Sequence, residues 1–106
     1  MTIKKLWELL VPKYSNAGKE YPIEYHRSWD EQVRQIAGGI TIFRTAKGHW
    51  ISPEGQIFVD EMIPVRVHCT EPDLDKILDF TLENYHQEAV FAYEISANVK
   101  VKHRRR

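Results

Sequence analysis

The chain has 106 residues, enough for one domain with a single two-layer core and too few for separate cofactor and substrate domains. Fifteen Lys and Arg balance fifteen Asp and Glu, so no global field draws the protein to nucleic acid or to an anionic membrane. The one cysteine, Cys69, excludes an intramolecular disulfide and a cysteine-rich zinc site, and no apolar run approaches the ~20 residues that span a bilayer. Glu8 interrupts the N-terminal segment where a signal peptide would be apolar, so the expected location is the cytoplasm.

In chain order, Ile3 to Val11 is a dense apolar run stopped by Pro12, expected as a central strand covered on both faces. Residues 12–26, rich in Gly, Asn, Pro and Tyr, read as a long connection. Ser28-Trp29-Asp30-Glu31 fits a capping box and predicts a helix start there, with Trp29, Val33, Ile36 and Ala37 on one face and Gly38-Gly39 as its stop. Ile40 to Arg44 is expected as a strand. Ser52-Pro53-Glu54-Gly55 predicts the turn of a long hairpin, with Trp50 and Ile51 facing Ile57 and Phe58 across it. Ile63, Val65, Val67 and Cys69 alternate with Met62, Pro64, Arg66 and His68, the period of a half-buried strand, with Pro64 expected at a bulge. Thr70-Glu71-Pro72-Asp73 opens a second helix whose stripe is Leu74, Ile77, Leu78, Leu82 and Tyr85. Residues 89–101 form the last strand.

This β-α-β-β-α-β order predicts an α+β, ferredoxin-like sandwich: one domain over residues 1–106, a four-stranded antiparallel sheet and both helices on one face. Residues 102–106, Lys-His-Arg-Arg-Arg, are expected as a flexible basic tail. Two places for function follow. The open sheet face is expected to gather Glu8, Phe43, Arg66, His68 and Glu94, beside Leu6, Leu10, Val90 and Ala92, as an assembly surface for a homo-oligomer. The loop end is expected to gather Asn16, Lys19, Tyr21, His26, Arg44, His49 and Trp50, with Tyr14, Gly18, Tyr25 and His86 nearby, around a small anionic or nucleotide-like ligand held by stacking and charge-assisted hydrogen bonds. The bland alternative is that Trp50 and the tyrosines merely pin the loop.

No metal or cofactor is expected. The scattered histidines lack ligand spacing, Asn16-Ala17-Gly18-Lys19 lacks the spacing of a phosphate loop, and Asp60-Glu61 reads as an exposed edge pair. RNA recognition motifs share this topology, but the central-strand positions that would carry stacking aromatics hold Leu6, Glu8, Leu10, Pro64, Arg66 and His68. Acylphosphatases share it too, but their arginine-bearing glycine loop is unmatched by Val11 to Ser15. With no acid, base and nucleophile set at credible spacing, binding is expected rather than turnover. A small enzyme, a phosphoester hydrolase or cofactor-free oxygenase using His49 or His68 with Glu8 or Glu94, is the alternative, and a protein-protein adaptor is the third class.

The pieces VPKYSNAGK, AGGIT, GHWISPEG and QEAV, in this order, resemble a family of small uncharacterised ferredoxin-like proteins of bacteria and their phages. The resemblance implies the same fold and no activity: it supplies no catalytic residues, and it points to the loop and hairpin tip as the working end. A phage or bacterial regulatory or inhibitor protein that sequesters its ligand would fit the binding design.

Overall fold

A computed structural model describes residues 3–105. The elements run β1 (Lys4–Pro12), α1 (Ile23–Ala37), β2 (Thr41–Ile42), β3 (Ala46–Ile51), β4 (Ile57–Thr70), α2 (Glu71–Asn84) and β5 (Phe91–Ser96). The sheet order is β2-β4-β1-β5, antiparallel throughout, with β3 pairing the distal half of β4. This is the expected α+β ferredoxin-like sandwich, with five strands rather than four.

The extra strand has a local cause. Pro64 has no N–H to give to a ladder, and the strand facing it divides there. Thr41 and Ile42 pair with Arg66 and Val65, Phe43 N donates to Pro64 O at 2.9 Å, and pairing resumes only at Ala46 opposite Met62.

Period-two alternation in β1 and β4 sends Trp7, Leu9, Val11, Val65, Val67 and Cys69 to the helices, where they meet Trp29 and Val33 of α1 and Leu74 and Ile77 of α2 in one core. The indoles spend their N–H groups inside it, Trp7 on Cys69 O at 3.0 Å and Trp29 on Thr81 Oγ1 at 2.8 Å. β1 is therefore buried on one face only; Leu6, Glu8 and Leu10 on the other are half-covered.

α1 begins five residues before the expected capping box. Tyr25 precedes Trp29 and Val33 at helical spacing and packs on the core, so the apolar stripe starts a turn earlier and Pro22 takes the cap position. Ser28 lies inside the helix, and Asp30 accepts from Arg34 Nε at 2.8 Å one turn on. Gly38, at φ +85°, ends it as expected. Thr70 caps α2 through its hydroxyl and the Asp73 N–H at 3.2 Å.

The hairpin leaves the body of the domain. β1 stops at Pro12 opposite Met62 and Lys13 N reaches only Glu61 O, at 3.4 Å, so residues 57–60 pair only with β3 and project as an arm, closed by a turn in which Ser52 N donates to Gln56 O and Gly55 sits at φ +83°. The molecule measures 57 × 29 × 24 Å, and its radius of gyration of 15.4 Å exceeds the ~13 Å of a compact chain of 100 residues. Residues 102–105 are exposed and carry no helix or strand; Arg106 lies outside the described residues. Among the described residues no helix is long and apolar enough to cross a membrane.

Candidate functional site

Where β1 ends, β4 keeps a free inner edge, and a cavity of about 690 Å³ opens on the uncovered side of the sheet between that edge, the residue 13–18 loop and the start of β5. Leu10, Pro12, Met62 and Phe91 make its apolar floor; Trp50, Val59, Asp60, Glu61 and Lys47 come from the arm; Tyr14, Ser15, Asn16 and Gly18 from the loop; Gln87, Ala89 and Val90 from the approach to β5.

The loop is tightly built. Tyr14 bridges Glu20, Tyr21 N donates to Lys13 O at 3.0 Å, Ser15 N to Lys19 O at 2.7 Å and Gly18 N to Ser15 O at 2.9 Å, with Gly18 at φ +82°. The long connection expected from composition is a small secondary hairpin with one face on the cavity.

Trp50 stands opposite Phe58, one pair from the end of the arm, 45% exposed, with its ring 6.4 Å from that of Phe91. Gly48 makes room for it: a Cβ there would fall 3.0 Å from Trp50 Nε1 and 2.9 Å from Met62 Cε. Charge in the cavity is carried by Asp60, Glu61 and Lys47. Lys13 lies 3.7 Å from Glu61 and 3.9 Å from Glu20, so its charge is already shared between two carboxylates.

On the helix side of the same loop the aromatic residues form a packed, hydrogen-bonded cluster. Tyr21 donates to Tyr85 O, Tyr85 Oη lies 2.7 Å from His26 Nδ1, and Asn84 Nδ2 donates to Tyr25 O at 3.0 Å. The Tyr21 ring meets Tyr85 edge-on at 5.0 Å. Burial lowers the pKa of His26 below its ordinary 6.5, opposed by nearby Glu20, and burial raises that of Tyr85.

Of the seven residues expected at a ligand, Asn16 and Trp50 line the cavity. Lys19 and Tyr21 border a shallower depression on the helix side, with Tyr25 and His86. His26 is spent on Tyr85, Arg44 lies exposed in the break between β2 and β3, and His49 projects from the opposite face of the arm to Trp50, its neighbour in an alternating strand. One loop with two faces thus divides a set that sequence order had placed together.

Sequence reasoning missed Lys47, Asp60, Glu61, Gln87 and Phe91 at the cavity. A usable signal existed for Asp60-Glu61, a pair of acids inside an otherwise apolar run from Ile57 to Val65. Of the expected exposed edge pair, Asp60 is exposed, whereas Glu61 is half-buried against Lys13.

On the open face, Arg66 Nε donates to Glu8 Oε1 at 2.9 Å, the Arg66 guanidinium lies 4.8 Å from the Phe43 ring centre, and Tyr93 donates to the other Glu8 oxygen. His68 lies opposite Leu6 on that face. Glu94 does not join them. It pairs with Trp7 in the register and takes Lys5 Nζ at 3.0 Å, raising the Lys5 pKa, while Ala92 packs on the core. The residues of β5 that share the face with Glu8 are Phe91 and Tyr93, one position out of step with expectation. Among the described residues no three His, Cys, Asp or Glu side chains come together as a metal site.

No protein-family model matches the chain, and no curated protein matches it. Solved structures do. The periplasmic divalent cation tolerance protein CutA from Archaeoglobus fulgidus has a TM-score of 0.68 at 13% identity, over 94% of this chain and 89% of that one. The divalent cation tolerance protein Cut A1 from Thermus thermophilus has a TM-score of 0.65 at 12% identity, over 88% and 82%. A phage SAM lyase in complex with S-methyl-5'-thioadenosine has a TM-score of 0.62 at 13% identity, over 91% of this chain and 92% of that one. At such identities the likeness is one of fold, and the chain has the fold of the CutA1-type proteins and of the phage lyase.

Proposed function

We propose that this chain binds a nucleoside bearing a positively charged sulfur, of the S-adenosylmethionine class, and cleaves it at that sulfur. The observation that carries the proposal is the composition of the cavity: the Trp50 indole and the Phe91 ring 6.4 Å apart, with Asp60 and Glu61 in the same lining. Aromatic faces take a planar base, and the carboxylates favour a cationic neighbour. The nucleotide-like part of the expected ligand is kept and its charge is reversed, because Lys19 and Arg44 are not at the cavity, Lys13 is held by Glu20 and Glu61, and Lys47, the cation in the lining, is outnumbered there by Asp60 and Glu61. The phage lyase with its bound thioadenosine, alike over nearly the whole of both chains, supports the same ligand class.

The missing acid, base and nucleophile set is no obstacle to this chemistry. A sulfonium leaves as a neutral thioether with no proton to supply. If the ligand's own carboxylate attacks the γ-carbon, the carbon-sulfur bond breaks, its electron pair goes to sulfur, and the products are S-methyl-5'-thioadenosine and a lactone. Positive charge on sulfur fades along this path, so Asp60 and Glu61 would bind and orient the substrate, and acceleration would come from holding the tail folded against its own chain.

Assembly as a homo-oligomer belongs to the same reading. Ile51, Ile57, Phe58 and Val59 on the arm are exposed, Ile51 by 74%, and so is Phe91 on β5, by 62%, the kind of apolar surface that a second copy would cover.

The test is incubation of the purified protein with S-adenosylmethionine, with chromatography for S-methyl-5'-thioadenosine. Product formation that falls about 10- to 100-fold in Trp50→Ala, the worth of one stacked base, supports the proposal. Binding without product leaves a sequestering protein, the second reading, and neither binding nor product overturns both.

A further inference from the structure

Gln87 reaches the cavity wall by an unusual route. After α2 the chain turns through His86, at φ +51°, and Gln87 N donates to Leu82 O at 3.0 Å. The side-chain amide then folds back on the aromatic cluster, where Nε2 donates to Tyr21 Oη at 2.9 Å and to Tyr85 O at 3.3 Å. Which end of this amide faces inward follows from its partners. A main-chain carbonyl only accepts, and the Tyr21 hydroxyl has given its proton to that same carbonyl. Both therefore require the nitrogen of Gln87, and among the described residues no donor occupies its oxygen.

We propose that Gln87 is the base-selecting residue of the cavity, presenting a fixed acceptor, Oε1, to the exocyclic amine of an aminopurine, with Tyr21 as the positioning residue that keeps the amide from turning over. This rests on the nucleoside reading of the cavity and extends it to which base is taken. Gln87 lines the same cavity as Trp50 and Phe91, so in this proposal the base that stacks on those rings turns its edge to the amide. A 6-amino group donates to Oε1; a 6-oxo group sets acceptor against acceptor and leaves both unpaired. Were the amide free to rotate, its NH₂ end would serve an oxo base equally well. Tyr21 and the Tyr85 carbonyl remove that freedom.

The experiment is titration calorimetry with S-methyl-5'-thioadenosine and S-methyl-5'-thioinosine, which differ at position 6 in the purine. The wild type is expected to prefer the adenine ligand by about 10- to 100-fold. Gln87→Ala should bring the ratio near one by weakening the adenine ligand alone. Tyr21→Phe should lower the ratio while Gln87 is still present, a change that general loosening of the loop, weakening both ligands alike, would not produce. Equal wild-type affinity for the two ligands, or a ratio unmoved in Gln87→Ala, overturns the inference and leaves the nucleoside reading standing. No binding of either ligand overturns both.

Discussion

Two aromatic groups lie on opposite sides of one loop and have different fates. On the helix side Tyr21, Tyr25, His26 and Tyr85 are packed ring to ring, with Tyr85 fully buried and the Tyr21 and Tyr85 hydroxyls each given a partner. On the arm, Trp50, Ile51, Ile57 and Phe58 have the same apolar character and stay exposed, because no helix lies over a hairpin that extends past the end of β1. Residue type does not separate a pin from a binding face. What separates them is whether the fold supplies a second layer.

The largest effect should come from breaking the buried member. Tyr85→Ala removes a ring at 0% exposure and takes from His26 Nδ1 the hydroxyl it meets, and is expected to cost about 3–5 kcal/mol, read as a fall in the urea midpoint. Trp50→Ala is the contrasting arm variant: a change in stability of about 1 kcal/mol or less, with loss of ligand binding. Equal destabilisation by the two would erase the distinction between pin and binding face.

A smaller effect is expected from pH. His26 is held below its ordinary pKa of 6.5 by burial, so between the folded and unfolded values the unfolded chain binds more protons, and stability is full above 6.5 and lost as pH falls through the lowered value. Protonation also leaves Nδ1 able only to donate, so the buried Tyr85 hydroxyl can then meet it only as an acceptor. Urea midpoints measured from pH 7.5 to 5 should decline in the wild type and decline less in His26→Gln, whose side-chain oxygen still accepts. The groups facing His26 are Tyr21, Tyr85 and Glu20, and only Glu20 opposes the shift.

The smallest expected effect is at Cys69, 1% exposed and with its thiol pushed up to about 11 by burial. A thiol reagent at pH 8 should leave the native protein unmodified and label it fully in urea. Rapid native labelling would mean that β4 opens at its helix-side face, contrary to a rigid cluster beside a free arm.

Much of the fold was legible because its signals are local. The alternation of Val65, Val67 and Cys69 needs only the two-residue period of a strand, the Thr70 cap only its own helix, and Gly38 and Gly55 only the backbone sign they permit. Misreadings arose where two local signals competed. The Ser28 capping pattern lost to an apolar stripe beginning at Tyr25, and the faces of β5 were exchanged because its register against β1, with a bulge between Leu6 and Trp7, is fixed by pairing between opposite ends of the chain.

The sequence by itself determined the element order, the hairpin and its turn, and the single core of Trp7, Trp29 and the β4 valines. All of these follow from periods and turn residues within a few positions. Only the tertiary structure decided that Asn16 and Trp50 share a cavity with Asp60, Glu61 and Gln87 while Tyr21 and His26 turn away from it. That division depends on where β1 stops relative to β4 and on which face of one loop each side chain takes. Both are set by long-range pairing and packing, for which neighbouring residues carry no signal.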